Sequence, residues 1–282
     1  MNKAQIKQQK LKRVTANIGD MNLKRRIETI VEKLEPKDSD RILDCGCGDG
    51  LFLVAVSETS NCQLYGVDVD KTNLRLAKRY LKEKPVKLVY GDATKMPFKN
   101  EFFDKVYCSE VLEHILDDRK AVSEIKRVLK KGGTLVVTVP NHNYPFWWDP
   151  INKCLEILFD THIKKGFWAG IWNKHRRLYY LDEFTDLIKR EGFEIKERMV
   201  LTHYCVPLNH IILYGLRQIL TKGLLPQKFA RTADKFRWQE NNQSAIVRSG
   251  YWLLNNLDKL NDKITVDYSS VNILIKARKG EK

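Results

Sequence analysis

The sequence lacks the cysteine spacing, the long apolar runs and the leader that mark several common classes of protein. Its six cysteines include no C-x-x-C pair, which argues against a zinc site and against a disulfide framework. No window approaches about 18 consecutive apolar residues, so no transmembrane helix is expected. The N-terminal stretch MNKAQIKQQKLKRV lacks the apolar core of a signal peptide. These absences predict a cytoplasmic protein in a reducing compartment.

Acidic residues are few relative to basic ones. The chain has 35 Asp and Glu against 50 Lys and Arg, which gives a formal net charge of +15. An excess of this size favours a polyanionic partner, meaning nucleic acid, an anionic membrane surface or a phosphorylated lipid. A generally lysine-rich proteome would produce the same excess, so the composition alone leaves both explanations open.

Within residues 41–141, strand-like runs alternate with helical patterns. RILDCG, QLYGVDVD, VKLVYGD, FDKVYCSE and GTLVVTVPN are strand-like, and helical segments such as DRKAVSEIKRVL lie between them. This alternation predicts an α/β fold in which helices cover a parallel sheet. Upstream of it, the spacing of Ile27, Ile30, Val31 and Leu34 predicts a helix with one apolar face.

After Pro140 the alternation stops and aromatic residues accumulate. This change in the sequence pattern divides the chain into a strand–helix core, flanking helical segments and two inserts. The predicted segments are an N-terminal helical segment at 1–40, the core at 41–141, an aromatic insert or lid at 142–180, a core helix and strand at 181–201, a helical insert at 202–268, for which a membrane-facing position is one interpretation, and a final strand at 269–282.

The loop LDCGCGDGLF follows the first predicted strand and opens a helix. Its glycines, Gly46, Gly48 and Gly50, are spaced G-x-G-x-G, whereas the dinucleotide fingerprint is G-x-G-x-x-G. Asp44 stands at the end of the strand, where a carboxylate repels a pyrophosphate but suits an ammonium or sulfonium group. The loop therefore favours a zwitterionic or cationic ligand, although a glycine loop by itself is also consistent with a structural turn.

Carboxylates also end the next two predicted strands. Asp68 follows the loop by about 20 residues, where a carboxylate can accept hydrogen bonds from both ribose hydroxyls. The alternative role for Asp68 is a helix N-cap, which Asp70 or Thr72 could fill instead. Asp92, in GDATKMPF, is a candidate acceptor for an adenine amino group, with the backbone of Ala93 beside it.

Taken in order, these motifs resemble those of the class I S-adenosylmethionine-dependent methyltransferases, in the branch that acts on small molecules. The resemblance covers Arg41–Asn141 and resumes at HRRLYYLDEFTDLIKREGFEI. It implies a Rossmann-like, seven-stranded, mostly parallel sheet of order 3-2-1-4-5-7-6, and S-adenosyl-L-methionine as the cofactor. The cofactor-binding residues that it implies are Asp44, Gly46, Gly48, Gly50, Asp68, Val69, Asp92, Ala93, Ser109 and Glu110.

Methyl transfer needs alignment of donor and acceptor and, for a hydroxyl acceptor, a base. His114, His142 and His175 are the candidate bases, and each has an alternative role as a helix cap or a solvated side chain. Glu110, Glu113 and His114 repeat the E-x-x-E-H spacing of the ubiquinone-pathway O-methyltransferases, some of which are associated with a divalent metal. The same letters occur in relatives without metal, so no metal site is predicted.

Two signatures of nucleic-acid methylation are missing. No [NDS]PP[YFW] motif follows the fourth predicted strand, and there is no Pro-Cys nucleophile. The inserts mix aromatic and aliphatic residues with Lys and Arg, a mixture typical of an interfacial helix on anionic lipid or of a hydrophobic lid. We therefore expect O-methylation of a small-molecule or lipid-linked acceptor by a cytoplasmic protein. Association with the membrane periphery is expected if the inserts contact lipid, and is not expected if they form a lid over the acceptor. An RNA methyltransferase and a non-catalytic binding protein of the same fold are the alternatives, and the oligomeric state is left open.

Overall fold

The core of the protein is one seven-stranded sheet, seen in a computed structural model that describes residues 2–82, 84–208 and 245–281. The strands are β1 Arg41–Cys45, β2 Gln63–Asp68, β3 Val86–Tyr90, β4 Phe103–Ser109, β5 Leu129–Pro140, β6 Phe193–Val200 and β7 Asn272–Lys279. Their order is β3-β2-β1-β4-β5-β7-β6, and β7 runs antiparallel to both of its neighbours. The Rossmann-like fold and the predicted strand order are confirmed.

Helices cover the sheet and extend beyond it. They are α1 Lys3–Thr15, α2 Met21–Leu34, α3 Leu51–Thr59, α4 Lys71–Tyr80, α5 Asp118–Val128, α6 Pro150–Phe159, α7 Leu181–Arg190 and α8 Ala245–Asp258. Short 3-10 helices lie at Leu112–His114, Phe167–Trp172 and Lys259–Lys263. Among the described residues, no helix combines the length and the apolar character needed to cross a bilayer.

The central strands are apolar on both faces because helices pack on both sides of the sheet. In β1, Leu43 faces the side covered by α5 and α7, where it joins Val122 and Phe184 in one buried cluster. Its neighbour Ile42 faces the opposite side, where Leu53 of α3 belongs to a second cluster. A parallel strand buried on both faces has a nearly continuous apolar sequence, as RILDC does.

The N-terminal segment folds as α1 and α2, and both pack against the second of these clusters. The predicted apolar face is confirmed, because Ile27, Ile30, Val31 and Leu34 are all buried. Packing of this face onto the sheet turns the neighbouring Arg26 toward the end of β4, where it reaches a carboxylate. The N-terminal helices therefore contribute a side chain to the region where ligands bind in this class of fold.

The aromatic insert is held together by one buried amide. Asn152 in α6 is fully buried, and its side chain donates to Asp149 Oδ2 at 2.8 Å and to the carbonyl of Trp168 at 3.0 Å. Its Oδ1 accepts from the backbone N–H of Ile163 at 2.7 Å. Because one side chain joins three separate parts of the insert, α6 and the following 3-10 helix form a single ordered unit.

Part of the predicted helical insert at 202–268, residues 209–244, lies outside the described residues. The rest includes α8, which packs along α2 instead of standing apart from the core. Arg25 of α2 bonds Asp258 at 2.8 Å, and the Tyr251 hydroxyl donates to the carbonyl of Asn17 at 3.0 Å. One side of α8 is therefore in contact with α2 and the turn before it.

Candidate active site

A crevice of about 840 Å³ opens at the carboxyl ends of the parallel strands. It is bounded by the glycine loop after β1 and by the segments that follow β2, β3 and β4, with Lys174 contributed by the insert. Of the ten predicted cofactor-binding residues, those that line it are Gly46, Gly48, Asp68, Val69, Asp92, Ala93 and Glu110. This position is the usual ligand-binding edge of an open α/β sheet.

The three glycines of the loop have different structural tasks. The backbone N–H of Gly46 donates to the carbonyl of Val67 at 2.8 Å, which joins the loop to β2. A Cβ on Gly48 would meet nothing within 4 Å, so this residue leaves the crevice open. Gly50 is the N-cap of α3, and a Cβ there would lie 2.9 Å from the side chain of Leu81. Gly50 thus serves the packing of α3 on α4 and does not line the crevice.

Asp44 lies beneath the glycine loop and does not line the crevice. It is 2% exposed, and its Oδ2 atom has no hydrogen-bond partner within the described parts of the chain. Burial, reinforced by the nearby charge of Asp68, raises the pKa of this carboxyl well above its usual range. A buried carboxylate with an unused oxygen has a strong preference for a positively charged or hydrogen-bond-donating neighbour.

The alternative role of Asp68 as a helix cap is not the one observed. Asp70 caps α4, since its side chain accepts from the backbone N–H groups of Thr72 and Asn73. Asp68 instead accepts from the N–H of Gly48 at 2.8 Å and from that of Asp70 at 2.7 Å. Its carboxylate therefore lies in the crevice, tied to the glycine loop on one side and to the start of α4 on the other.

The end of β3 forms the next part of the wall. Asp92 Oδ1 accepts from both the backbone N–H and the hydroxyl of Thr94, at 2.7 and 2.8 Å. These hydrogen bonds hold the pKa of Asp92 below its usual value, so the carboxylate is ionised near neutral pH. Ala93 follows it along the crevice wall.

At the end of β4, Ser109 and Glu110 behave differently from one another. The Ser109 hydroxyl lies 3.0 Å from that of Thr138, and the residue does not line the crevice. Glu110 has φ 56° and binds Arg26 Nη1 at 3.0 Å and Asn272 Nδ2 at 2.7 Å. Sequence reasoning missed Arg26, because no local pattern distinguishes it from its basic neighbours in α2.

The structure brings two of the three predicted histidines together. His114 lines the crevice, and its ring lies 4.9 Å from that of His175. Glu113 lies between them and is fully buried. Burial raises the pKa of Glu113 well above its usual value and lowers that of His175 to about 4. At neutral pH the ring of His175 is therefore uncharged, because burial disfavours its protonated form.

His142 does not join this pair. Its ring stacks on Tyr180 with centroids 4.5 Å apart and meets the edge of Trp172 at 6.2 Å. It follows β5 as predicted, but the insert covers it, and it does not line the crevice. The sequence places His114 and His142 after the fourth and fifth predicted strands and His175 before a predicted helix, and packing of the insert decides which of them reach the crevice.

Comparison with known proteins identifies the class. Residues 43–137 match the family model described as a methyltransferase domain. O-methyltransferase cnsE of Penicillium expansum is 31% identical over 167 residues, 58% of this chain and 55% of its own length. The ubiquinone biosynthesis O-methyltransferase of Alkalilimnicola ehrlichii is 31% identical over 121 residues, 42% of this chain and 49% of its own. The chain thus spans about half the length of these relatives.

The fold is shared with solved structures as well. Phosphoethanolamine N-methyltransferase 2 of Haemonchus contortus, in complex with S-adenosyl-L-methionine, superimposes with a TM-score of 0.55 at 21% identity. The match covers 90% of this chain and 52% of that one. The resemblance to the class I S-adenosylmethionine-dependent methyltransferases of small-molecule type is confirmed, and residues 43–137 are the part of the chain that matches a methyltransferase domain. S-adenosylmethionine, the cofactor that the resemblance implies, is the ligand of that solved neighbour.

The residues at the crevice fit this cofactor. A sulfonium-bearing amino acid carries positive charge, and the buried, unpartnered oxygen of Asp44 lies beneath the loop that such a ligand approaches. The open space over Gly48 leaves room for close contact with the backbone. Asp68 and Asp92 supply carboxylates at the two following strand ends, where ribose hydroxyls and an amino group need acceptors.

Proposed function

We propose that the chain transfers a methyl group from S-adenosylmethionine to a hydroxyl of a small-molecule or lipid-linked acceptor. The observation that carries this proposal is one crevice with carboxylates at its strand ends and a histidine–glutamate cluster at its edge, formed by Glu113, His114 and His175. The carboxylates suit the cofactor, and the cluster suits an acceptor that must lose a proton. O-methylation is the transfer that most needs such a base.

The chain's own residues have distinct tasks in this proposal. Asp68 holds the ribose, Asp92 and Ala93 hold the adenine, and the loop at Gly46 and Gly48 receives the methionine end. The bound cofactor supplies an activated methyl group whose leaving group is a neutral thioether. The protein contributes by aligning the acceptor with that methyl group and by accepting the proton of the hydroxyl.

We assign the role of proton acceptor to a side chain at the edge of the crevice. His114 reaches it directly, and His175, uncharged at neutral pH, lies immediately behind. A neutral imidazole within reach of the substrate proton is the commonest general base in enzymes. His142 has no such access, so we assign it no role in proton transfer.

Direct assay tests the proposed reaction. The purified chain is incubated with methyl-labelled S-adenosylmethionine and, in parallel, with a total lipid extract of the native cell, a polar small-molecule extract or transfer RNA. We expect alkali-stable label in a lipid or small molecule, as an ether would give. Label in RNA alone would replace this proposal with the RNA alternative. Calorimetric binding of S-adenosylhomocysteine without transfer to any fraction would indicate a non-catalytic binding protein.

A lipid-linked acceptor is favoured by an apolar tip on the insert, formed by Ile157, Leu158 and Phe159 of α6 with Trp168. The three consecutive α6 residues are 71%, 69% and 68% exposed, and Trp168 is 50% exposed. The loop between them carries two exposed lysines at positions 164 and 165. Apolar side chains beside basic ones suit insertion at an anionic membrane surface, which we propose as the location of the working protein.

Flotation with vesicles measures this association. The wild-type chain is expected to float with vesicles rich in phosphatidylglycerol at low salt, and to a much smaller extent with neutral vesicles. The double substitution Leu158→Asp and Phe159→Asp should leave the protein in the pellet fraction, because it places charges where apolar contacts are needed. Ile6→Asp, which changes an exposed apolar residue far along the chain in α1, is the matched control and should float normally. Equal flotation of the tip variant and the control would refute the assignment of the tip.

The RNA alternative has one observation in its favour. A groove beside α4 and β3 has five basic and no acidic side chains among its lining residues, which include Lys71, Arg75, Lys78, Lys82 and Lys84. Such a groove can follow a phosphate backbone. A gel shift with transfer RNA whose affinity falls steeply with salt would support it, particularly if Arg75→Ala with Lys78→Ala weakened binding.

A further inference from the structure

Glu113 is buried without the partners that a carboxylate requires. It belongs to the 3-10 helix Leu112–His114, its exposed fraction is zero, and neither of its carboxylate oxygens has a hydrogen-bond partner within the described parts of the chain. An isolated buried carboxylate costs several kcal/mol, so such groups are paired or coordinate metals. The unsatisfied oxygens of Glu113 therefore point to a missing neighbour.

Two imidazole nitrogens face this carboxylate. His114 Nε2 lies 3.7 Å and His175 Nε2 lies 3.8 Å from Glu113 Oε1. Both separations are too long for hydrogen bonds, so the histidines do not satisfy the carboxylate directly. They are close to the spacing of ligand atoms around a shared metal ion, which is roughly 3.4 Å for tetrahedral zinc with bonds of about 2.1 Å. One ligand atom from each residue lies within 4.8 Å of the others.

The tautomer of His114 suits metal ligation. Its Nδ1 lies 3.1 Å from the carbonyl oxygen of Lys174, and a carbonyl only accepts, so Nδ1 carries the proton. The lone pair is thereby left on Nε2, the nitrogen that faces Glu113. In metal sites, histidine ligands are typically oriented by a hydrogen bond of this kind, which the ring nitrogen that does not bind the metal donates to a carbonyl.

Arg176 holds the two halves of the cluster together through the backbone. Its N–H donates to the carbonyl of Glu113 at 2.9 Å, and its Nε donates to the carbonyl of His114 at 3.0 Å. The residue that precedes it, His175, is therefore fixed against a segment some sixty positions away. Preorganisation of this sort lowers the ordering that a bound ion has to impose.

Glu110, the first glutamate of the E-x-x-E-H run, is not available to the same ion. Its Oε2 atom lies 3.0 Å from Arg26 and 2.7 Å from Asn272 Nδ2, and its Oε1 accepts from the Thr138 hydroxyl at 3.2 Å. Spacing along the sequence would have counted Glu110 as a ligand and omitted His175. In the folded protein, His175 belongs to the cluster and Glu110 does not.

We infer that Glu113, His114 and His175 bind one divalent transition-metal ion at the edge of the crevice. Two imidazoles and one carboxylate are a donor set for zinc that leaves a coordination position for a water or a substrate oxygen. His114 lines the crevice, so that position lies on the side of the proposed acceptor. With the ion bound, the lone pairs of His114 and His175 are engaged, so the ion would take over their proposed role by lowering the pKa of an acceptor hydroxyl. That use of the ion rests on the proposed function, whereas binding of the ion does not.

Metal titration of the tag-free, full-length chain tests the inference. After dialysis against a chelator, zinc is titrated by calorimetry, and cobalt is added to a separate sample to record its visible absorption. We expect one equivalent of zinc per chain and a cobalt spectrum of tetrahedral or five-coordinate intensity. Glu113→Gln and His114→Asn should each weaken zinc binding by more than about 100-fold. Because His114 is partly exposed, its variant is expected to fold even where Glu113→Gln does not.

Two control variants test whether the loss of binding is specific to the proposed ligands. His162→Asn removes an imidazole that stacks on Trp172 in the insert, and Glu110→Gln removes the carboxylate bound to Arg26; both should keep the wild-type stoichiometry. Absence of zinc and cobalt binding by the wild-type chain, or loss of binding in Glu110→Gln but not in Glu113→Gln, would overturn the inference. Binding of S-adenosylhomocysteine, measured on the same samples, reports separately on the cofactor site, and the labelling assay described above reports on methyl transfer.

Discussion

Gly46→Ala is expected to destabilise the folded protein by roughly 2–5 kcal/mol. Gly46 has φ +79°, a left-handed conformation that costs an L-residue about 1–2 kcal/mol. Its Cβ would also lie 2.3 Å from Val111 Cγ2, so the loop or the segment after β4 must move. Since a domain of this kind is stable by only about 5–15 kcal/mol, urea denaturation should show a clearly lowered midpoint.

Gly48→Ala is the matched control for the clash. Gly48 also has a positive φ, +51°, but a Cβ there would meet nothing within 4 Å. We expect a loss of stability of only about 1–2 kcal/mol from backbone strain, together with weaker cofactor binding because the methyl group would occupy the crevice. Val111→Ala combined with Gly46→Ala should restore part of the lost stability. Equal denaturation midpoints for the Gly46 and Gly48 variants would show that Val111 does not constrain the loop.

Asp68→Ala is expected to weaken the binding of S-adenosylhomocysteine by roughly 10–100-fold. Charge-assisted hydrogen bonds are worth about 1.5–3 kcal/mol, and the substitution removes those we propose to the ribose. It also releases the N–H of Gly48, which donates to Asp68 Oδ2 at 2.8 Å and helps to fix the loop. Isothermal titration calorimetry of the two proteins at one pH and salt concentration measures the difference.

Asp70→Ala separates this effect from a helix-capping effect. Asp70 accepts from two backbone N–H groups at the start of α4, so its removal should cost about 1 kcal/mol of stability. The effect of Asp70→Ala on affinity should be much smaller than that of Asp68→Ala. Unchanged affinity in Asp68→Ala would contradict the ribose assignment while leaving the fold unaffected.

The sheet and the positions of several crevice residues could be predicted because they depend on local patterns. Strand–helix alternation predicts the elements and their order along the chain, whereas the order of the strands within the sheet comes from the family resemblance. Carboxylates at the ends of neighbouring parallel strands then meet at one edge of the sheet. Asp68, Asp92 and the spacing of the glycines are signals of this kind. Their placement at the crevice is observed, whereas their roles toward the cofactor stay predictions that the variants above test.

The rest of the site depends on contacts between distant segments, which local patterns do not encode. Gly50 lies in the glycine loop and Ser109 at the end of β4, but neither lines the crevice. Gly50 packs beside Leu81, and the Ser109 hydroxyl lies next to that of Thr138. His175 reaches Glu113 only because the insert folds back onto the turn after β4. No periodicity or spacing in the sequence indicates that the insert contacts this turn.

The ion pair between Arg26 and Glu110 has a consequence for how far the protein can be trimmed. A fragment cut to the matched region, residues 43–137, would keep Glu110 but lose the guanidinium that lies 3.0 Å from it and the amide of Asn272 at 2.7 Å. It would also lose β7, the neighbour of β5 in the sheet. Residues 43–137 therefore do not contain the whole site. The crevice end of the sheet is completed by Arg26, near the start of the described chain, and by Asn272, near its end.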